Sequence, residues 1–279
     1  MSYKTVLVHV DESSRSDLRV QLAAEIAKVE GAHLIGAAVT GVSRFIYQDG
    51  NISSSDPNLA NHLKFLRERA ERSVAGFAGR VGDLGVRSHE SMVAHDEAGG
   101  GIGLLARYSD LVVVGQANRE EPSPSVLPDF PEYIVMHSGR PVLIIPYTGD
   151  FSSIAQRPLI AWDASRESTR AVTDTIPLLK RAELVQVAIF NADSVYQAPG
   201  EQPGADIVRY LERHGIKVEV SVHKTATDIG NALLSLAHDL DSDTIVMGGY
   251  GHSRFREMIM GGVTRTVMES MTVPILISH

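Results

Sequence analysis

The sequence predicts an α/β chain made of two doubly wound, five-stranded parallel-sheet domains in tandem. Three observations lead there. Short runs of nearly pure Val, Ile and Leu alternate with segments whose apolar residues recur at i, i+3, i+4 spacing. Such runs have no polar face, so helices must cover them above and below, as in a parallel sheet. The whole pattern occurs twice within 279 residues, a length that suits two domains of about 100–200 residues each.

The repeat is legible residue by residue. Val6-Leu7-Val8-His9-Val10-Asp11 matches Pro158-Leu159-Ile160-Ala161-Trp162-Asp163, and Ser13 follows Asp11 as Ser165 follows Asp163. Further on, Asp110-Leu111-Val112-Val113-Val114-Gly115 matches Asp243-Thr244-Ile245-Val246-Met247-Gly248. Arg140-Pro141-Val142-Leu143-Ile144-Ile145 matches Val273-Pro274-Ile275-Leu276-Ile277-Ser278. The offset between copies is 152 at the start and 133 from residue 95 on, so the first copy carries 19 extra residues. The polar stretch Tyr47 to Asn61 is the natural place for them.

In order, the first copy has strands near 4–10, 33–40, 86–92, 110–114 and 141–146. The second has them near 157–162, 184–190, 216–222, 243–247 and 273–278. Helical segments such as Ser14 to Glu30 and Asn231 to Leu240 lie between them. The domains are therefore expected at residues 1–147 and 157–279. The stretch Tyr147 to Gln156 joins them and is short enough for the domains to pack together. The closing strands, around 142–146 and 274–278, would be apolar sheet edges that need cover, and the two copies could supply it to each other.

Bulk composition narrows the class. The chain is 43% hydrophobic and 22% charged, which is globular. Its formal net charge of −8 argues against a nucleic-acid or anionic-membrane surface. No cysteine is present, so disulfides, thiolate zinc sites and cysteine nucleophiles are excluded. No apolar run approaches 18 residues, and the N-terminus lacks a signal-peptide core. A soluble cytoplasmic protein with no membrane partner is expected.

The most informative segment is the glycine-rich run after the strand at 243–247. Gly248 ends the strand, Gly251 follows, and Gly261, Gly262 and Thr264 come after nine further residues. Backbone amides can converge on phosphate there, because glycine permits positive φ and close approach. A helix starting at Gly262 would add its N-terminal amides and dipole. His252, Arg254 and Arg256 add positive charge. The spacing is neither a P-loop nor a dinucleotide fingerprint. In isolation such a cluster reads equally as a turn.

Gly248-x-x-Gly251, nine residues, then Gly261 and Val263-Thr264 resembles the G-x-x-G-x9-G-[ST] signature of the universal stress proteins. Asp163-Ala164-Ser165-Arg166-Glu167-Ser168 resembles that family's first strand-to-helix turn, and Val-Pro-Ile-Leu-Ile its closing strand. The resemblance covers essentially the whole chain as a tandem pair. It implies an adenine nucleotide alpha-hydrolase-like fold that binds ATP. Any Mg²⁺ is expected with the nucleotide, because phosphates supply much of its coordination. It places Asp163 at the adenine or ribose end and Gly248 beside the ribose, next to Met247. Gly251, His252, Gly261, Gly262, Val263 and Thr264 would line the phosphates. Gly262 departs from the family's usual Ser or Thr, losing a hydroxyl but keeping an amide.

The first copy departs further. Asn118, Pro128, Asp129 and Pro131 stand where Gly251, Gly261, Gly262 and Thr264 stand in the second. Proline removes an amide and aspartate adds negative charge, so the first copy should not bind ATP. Asp11 then reads as a helix cap. Asp163 could cap too, but it faces an intact loop. Trp162 reads as core. The histidine and acid clusters lack metal-ligand spacing. Gly99-Gly100-Gly101 reads as a flexible turn, and the methionines near the glycine run as core filler or interface.

The expected function is a stress-response protein binding ATP in its C-terminal domain, a sensor with at most slow hydrolysis. No residue type is placed beside the phosphates as a general base except His252. The alternatives are a slow ATPase and a scaffold acting through unknown protein partners, with the Pro- and acid-rich loop Gln116 to Pro131 as its contact. The tandem chain would form an intramolecular pseudo-dimer, and two chains could still form a homodimer.

Overall fold

The computed structural model describes residues 2–43, 57–192, 203–251 and 262–279. The first repeat runs β1 (Thr5–His9), α1 (Ser16–Glu30), β2 (His33–Val39), α2 (Pro57–Ala75), α3 (Phe77–Asp83), β3 (His89–Ala94), α4 (Ala98–Ala106), β4 (Leu111–Gly115), α5 (Phe130–His137) and β5 (Val142–Ile145). The second runs β6 (Pro158–Ala161), α6 (Arg166–Leu179), β7 (Val185–Phe190), α7 (Ala205–Arg213), β8 (Val218–His223), α8 (Ile229–Asp239), β9 (Thr244–Gly248), α9 (Gly262–Ser270) and β10 (Ile275–Ser278).

The chain divides into two compact units, Ser2–Arg140 and Pro141–His279. In the first, the strands lie in the order β3-β2-β1-β4, all parallel. In the second the order is β5-β10-β9-β6-β7-β8, parallel except for β5. The closing strand of the first repeat thus belongs to the second unit, where it pairs antiparallel with β10, Leu143 opposite Leu276. Both apolar closing strands are thereby covered on that side. The fold is α/β, with the strand order of a doubly wound sheet.

The central strands are buried along nearly their whole length. Val6, Leu7 and Val8 of β1, Leu111 to Val114 of β4 and Ile245 of β9 are fully inaccessible. Burial of successive residues means that both faces of the strand are covered. α1 packs on β1, β2 and β4, and α6 on β6, β9 and β10. The acid that precedes the fourth strand of each repeat is an anchor. Asp110 Oδ2 accepts from the amides of Lys4 (2.6 Å) and Thr5 (3.0 Å). Asp243 accepts from Gln156 (2.7 Å) and Arg157 (3.1 Å). Each acid ties the start of its central strand to the start of the neighbouring one.

Several sequence expectations are corrected. The stretch Tyr47 to Asn61 lies partly outside the described residues, and from Pro57 on it is the opening of α2. The pair α2 and α3 stands between β2 and β3, where the second repeat has α7 as its described helix. Gly99 to Gly101 are not a flexible turn but lie inside α4. Among the methionines, Met268 and Met271 are buried, while Met258 and Met260 lie outside the described residues. Among the described residues, no helix is long and apolar enough to cross a membrane.

One glycine fixes a helix position. A Cβ added at Gly36 in β2 would fall 2.5 Å from the ring of Phe77, itself fully buried at the start of α3. Gly36→Ala should therefore lower stability by about 1–3 kcal/mol, the usual cost of overpacking a core. Urea denaturation of the intact chain reads this as a lower midpoint for the first unit, and an unchanged midpoint would contradict the packing argument.

Candidate functional site

In a doubly wound sheet, the strand order reverses beside the first strand, and the carboxyl ends there leave a crevice. In the second unit that point lies between β6 and β9. A cleft of about 410 Å³ opens at it. β6 delivers Ala161, Trp162 and Asp163 to its wall, and β9 delivers Met247 and Gly248. Ala188 and Phe190 come from the end of β7, and Ile229 and Leu233 from α8. Ser165 and Glu167 open α6, Gly251 belongs to the glycine loop, and Gly262, Val263 and Thr264 start α9.

The lining combines two kinds of surface. Phe190, Leu233, Ile229 and Met247 are apolar, while Gly248, Gly251 and Gly262 offer backbone and Thr264 a hydroxyl. Gly248 is required by its surroundings, because a Cβ there would lie 2.5 Å from the Ser168 amide and 2.6 Å from the Glu167 carbonyl carbon. The end of β9 thus touches the first turn of α6. That turn is capped by Ser165, whose Oγ accepts from the Ser168 amide at 3.1 Å. Asp163 is not the cap. Its Oδ1 accepts from the Ser165 amide at 3.0 Å, which leaves the carboxylate at the mouth of the cleft.

The glycine loop is tied down at both sides. The Gly249 amide donates to the carbonyl of Ser278 in β10 (2.9 Å). The Tyr250 amide donates to Thr264 Oγ1 (3.4 Å), and the Tyr250 hydroxyl donates to Met268 Sδ (3.5 Å). Tyr250 has φ of 56°, a left-handed conformation that side chains rarely adopt. Such a cost persists only where surrounding contacts hold it.

Of the residues expected from sequence, Asp163, Met247, Gly248, Gly251, Gly262, Val263 and Thr264 all line this cleft. His252 and Gly261 lie outside the described residues. Trp162 is corrected, since it is half-buried on the cleft wall rather than in the core. The apolar wall of Ala188, Phe190, Ile229 and Leu233 was not legible, because none of these residues sits in a motif. Among the described residues, no group of three His, Asp or Glu side chains could hold a metal ion.

The corresponding point of the first unit is filled. Its remaining cavity, beside His9, Asp11 and Ser125, is about 10 Å³. Arg19 is 2% exposed. Its Nε donates to the His9 carbonyl (2.7 Å) and its Nη2 to Asp11 Oδ1 (2.7 Å). A Cβ on Gly115 would meet Arg19 Nη1 at 2.6 Å, so the guanidinium stands against the end of β4. Above it, Glu121 accepts from the Ser14 amide (2.8 Å) and the Ser14 hydroxyl (2.7 Å). The acidic loop therefore brings its own anion to the start of the first α1 turn. Asp11 is not the α1 cap expected from sequence. It accepts from the Ser13 amide and hydroxyl and pairs with Arg19.

The charges respond to this packing. Burial pushes the Asp11 carboxyl up, but Arg19, His9 and the Ser13 hydrogen bond outweigh it and hold the group well below the usual carboxylate range. Burial lowers His9 from 6.5 to about 4, with Asp11 opposing and Arg19 assisting. An unfolded chain takes up a proton on His9 below pH 6.5, while the folded chain does not until about pH 4. Stability should fall through that window by up to about 3 kcal/mol from this residue. Asp11 acts in the same sense at still lower pH. His9→Leu should flatten the loss of thermal stability between pH 6.5 and 4, and an unaltered slope in calorimetry would count against the buried neutral imidazole.

Comparison with known proteins follows the same division. The sequence model of the universal stress protein family matches residues 2–146 and again 156–279. Universal stress protein Slr1230 of a Synechocystis species is 27% identical over 147 residues, which is 52% of this chain and 49% of that protein. The chain thus aligns with about half the length of that curated relative. A crystal structure of a universal stress protein from Archaeoglobus fulgidus superposes with a TM-score of 0.73 at 19% identity, covering 98% of this chain and 95% of that one. A functionally unknown protein from Pseudomonas aeruginosa superposes at 0.65 with 14% identity, covering 99% and 92%. At such identities the likeness concerns the fold.

Proposed function

The chain belongs to the universal stress protein family, and on that premise we propose that its second unit binds ATP as a sensor or regulatory module. The observation that carries the reading is the cleft of about 410 Å³ whose lining joins apolar side chains to the backbone of Gly248, Gly251 and Gly262. An adenine ring fits between Phe190, Leu233, Ile229 and Met247. Asp163 and Gly248 then fall beside the ribose. The phosphates point toward Gly251, Gly262, Val263 and Thr264, with His252 and Gly261 completing the loop by the family resemblance. The α9 N-terminus adds its amides and its positive dipole end.

The first unit has lost this role. Arg19 and Glu121 occupy the positions that a ligand would need, and Asn118, Pro128, Asp129 and Pro131 replace the loop residues. One chain therefore binds one nucleotide. The protein holds that nucleotide and hydrolyses it slowly at most. Its location is the cytoplasm, and its downstream contacts are protein partners or a second copy of the chain.

Isothermal titration of MgATP into nucleotide-stripped protein should give one site per chain. Gly251→Glu should abolish it, because a side chain there would meet Glu167 Oε2 within 2.7 Å and place a second carboxylate at the phosphate end. Two equal sites would show that the first unit is not closed. Rapid turnover of MgATP would replace the sensor reading with an enzymatic one.

A further inference from the structure

Asp163 and Glu167 are the two acids among the residues that line the cleft, and Glu167 is the one set against Gly251. It is the second residue of α6, where an acid favours the helix dipole. Its carboxyl group does not point away into water. A Cβ on Gly251 would lie 2.7 Å from Glu167 Oε2 and 3.1 Å from its Cδ, so the carboxyl lies against the glycine loop. Oε2 is sealed from solvent and has no hydrogen-bond partner among the described residues. The first repeat has Arg15 at the matching position, so the two copies carry opposite charge there.

An unpaired, desolvated carboxylate oxygen is costly. Beside a polyphosphate the cost grows, since two anions meet away from bulk water. A hard divalent cation resolves both problems. Mg²⁺ takes oxygen ligands from one or two carboxylates together with nucleotide phosphates, and keeps several waters. Glu167 shares the cleft lining with Gly251, Gly262 and Thr264, the residues assigned above to the phosphates.

We propose that Glu167 makes nucleotide occupancy of this cleft conditional on a divalent cation of the Mg²⁺ class, by offering the protein's oxygen to a metal otherwise held by the phosphates. The inference rests on the ATP reading of the second unit. It assigns a selectivity role to a residue outside the glycine motif. The cation enters with the nucleotide, because one carboxylate alone does not form a metal site.

The test is calorimetry of ATP binding to the intact chain in excess Mg²⁺ and in excess EDTA, for the natural protein, Glu167→Gln and Glu167→Ala. The natural protein should lose about tenfold or more in affinity when EDTA replaces Mg²⁺. In both variants the ratio should shrink to about threefold or less, chiefly through a gain for metal-free ATP. A natural protein indifferent to Mg²⁺, or variants that keep its ratio, would overturn the proposal while leaving ATP binding intact. If no form binds ATP with Mg²⁺ although thermal melting shows all three folded, the ATP reading itself fails.

Discussion

The second unit depends on one close contact, the end of β9 against the first turn of α6. At Gly248 the strand comes so near the Ser168 amide that no side chain fits between them. This contact aligns the start of one helix with the end of the neighbouring strand and fixes the floor of the cleft. The asparagine-free, serine-capped turn at Ser165 and the loop tied by Gly249 to Ser278 both build outward from it. In the first unit the strand end is the same glycine, Gly115, but a side chain stands before it. Arg19 satisfies the His9 carbonyl and Asp11 there, and its guanidinium takes the space. One arrangement leaves a cleft and the other consumes it, with nearly the same strands around them.

The strands were legible because their chemistry is simple. Runs such as Leu111 to Val114 and Ile275 to Ile277 are buried on both faces, so no periodicity had to be resolved. The third strand of each repeat lies one to three residues beyond the span expected from sequence. β3 and β8 have mixed burial, with exposed positions such as Glu90 and Val222, which blurs an apolar pattern. The glycine loop was legible for a different reason. Close backbone approach admits so few residue types that glycine at fixed spacing carries its own explanation.

The parts that escaped are those assembled by topology alone. Phe190 and Leu233 are ordinary apolar residues in a strand and a helix, and only the sheet order brings them to one wall. Arg19 carries no motif, and its burial was not legible from its own neighbourhood in the sequence. The signal that could have revealed it is its counterpart in the second repeat, Ala171, a fully apolar position in the same stripe of α6. A charge that replaces a small core residue in one of two copies needs a buried partner, and Asp11 was available. The acidic character of the first-copy loop is legible, but not that the Glu121 carboxylate accepts hydrogen bonds from Ser14 much as an anionic ligand would.

The strand pair β5 and β10 bears on how the chain may be divided. Repeat boundaries drawn from sequence would part the copies within Tyr147 to Gln156, yet the compact unit begins at Pro141. A fragment starting at residue 157 would keep every element of the cleft but lose Val142 to Ile145. β10 would then present an unpaired row of amides and carbonyls flanked by Ile275 and Ile277. An apolar edge of that kind recruits another strand, most readily a copy of itself. Evolutionary duplication and structural autonomy therefore have different borders in this protein, and a gene cut at the first would yield a sticky half-molecule rather than an independent module.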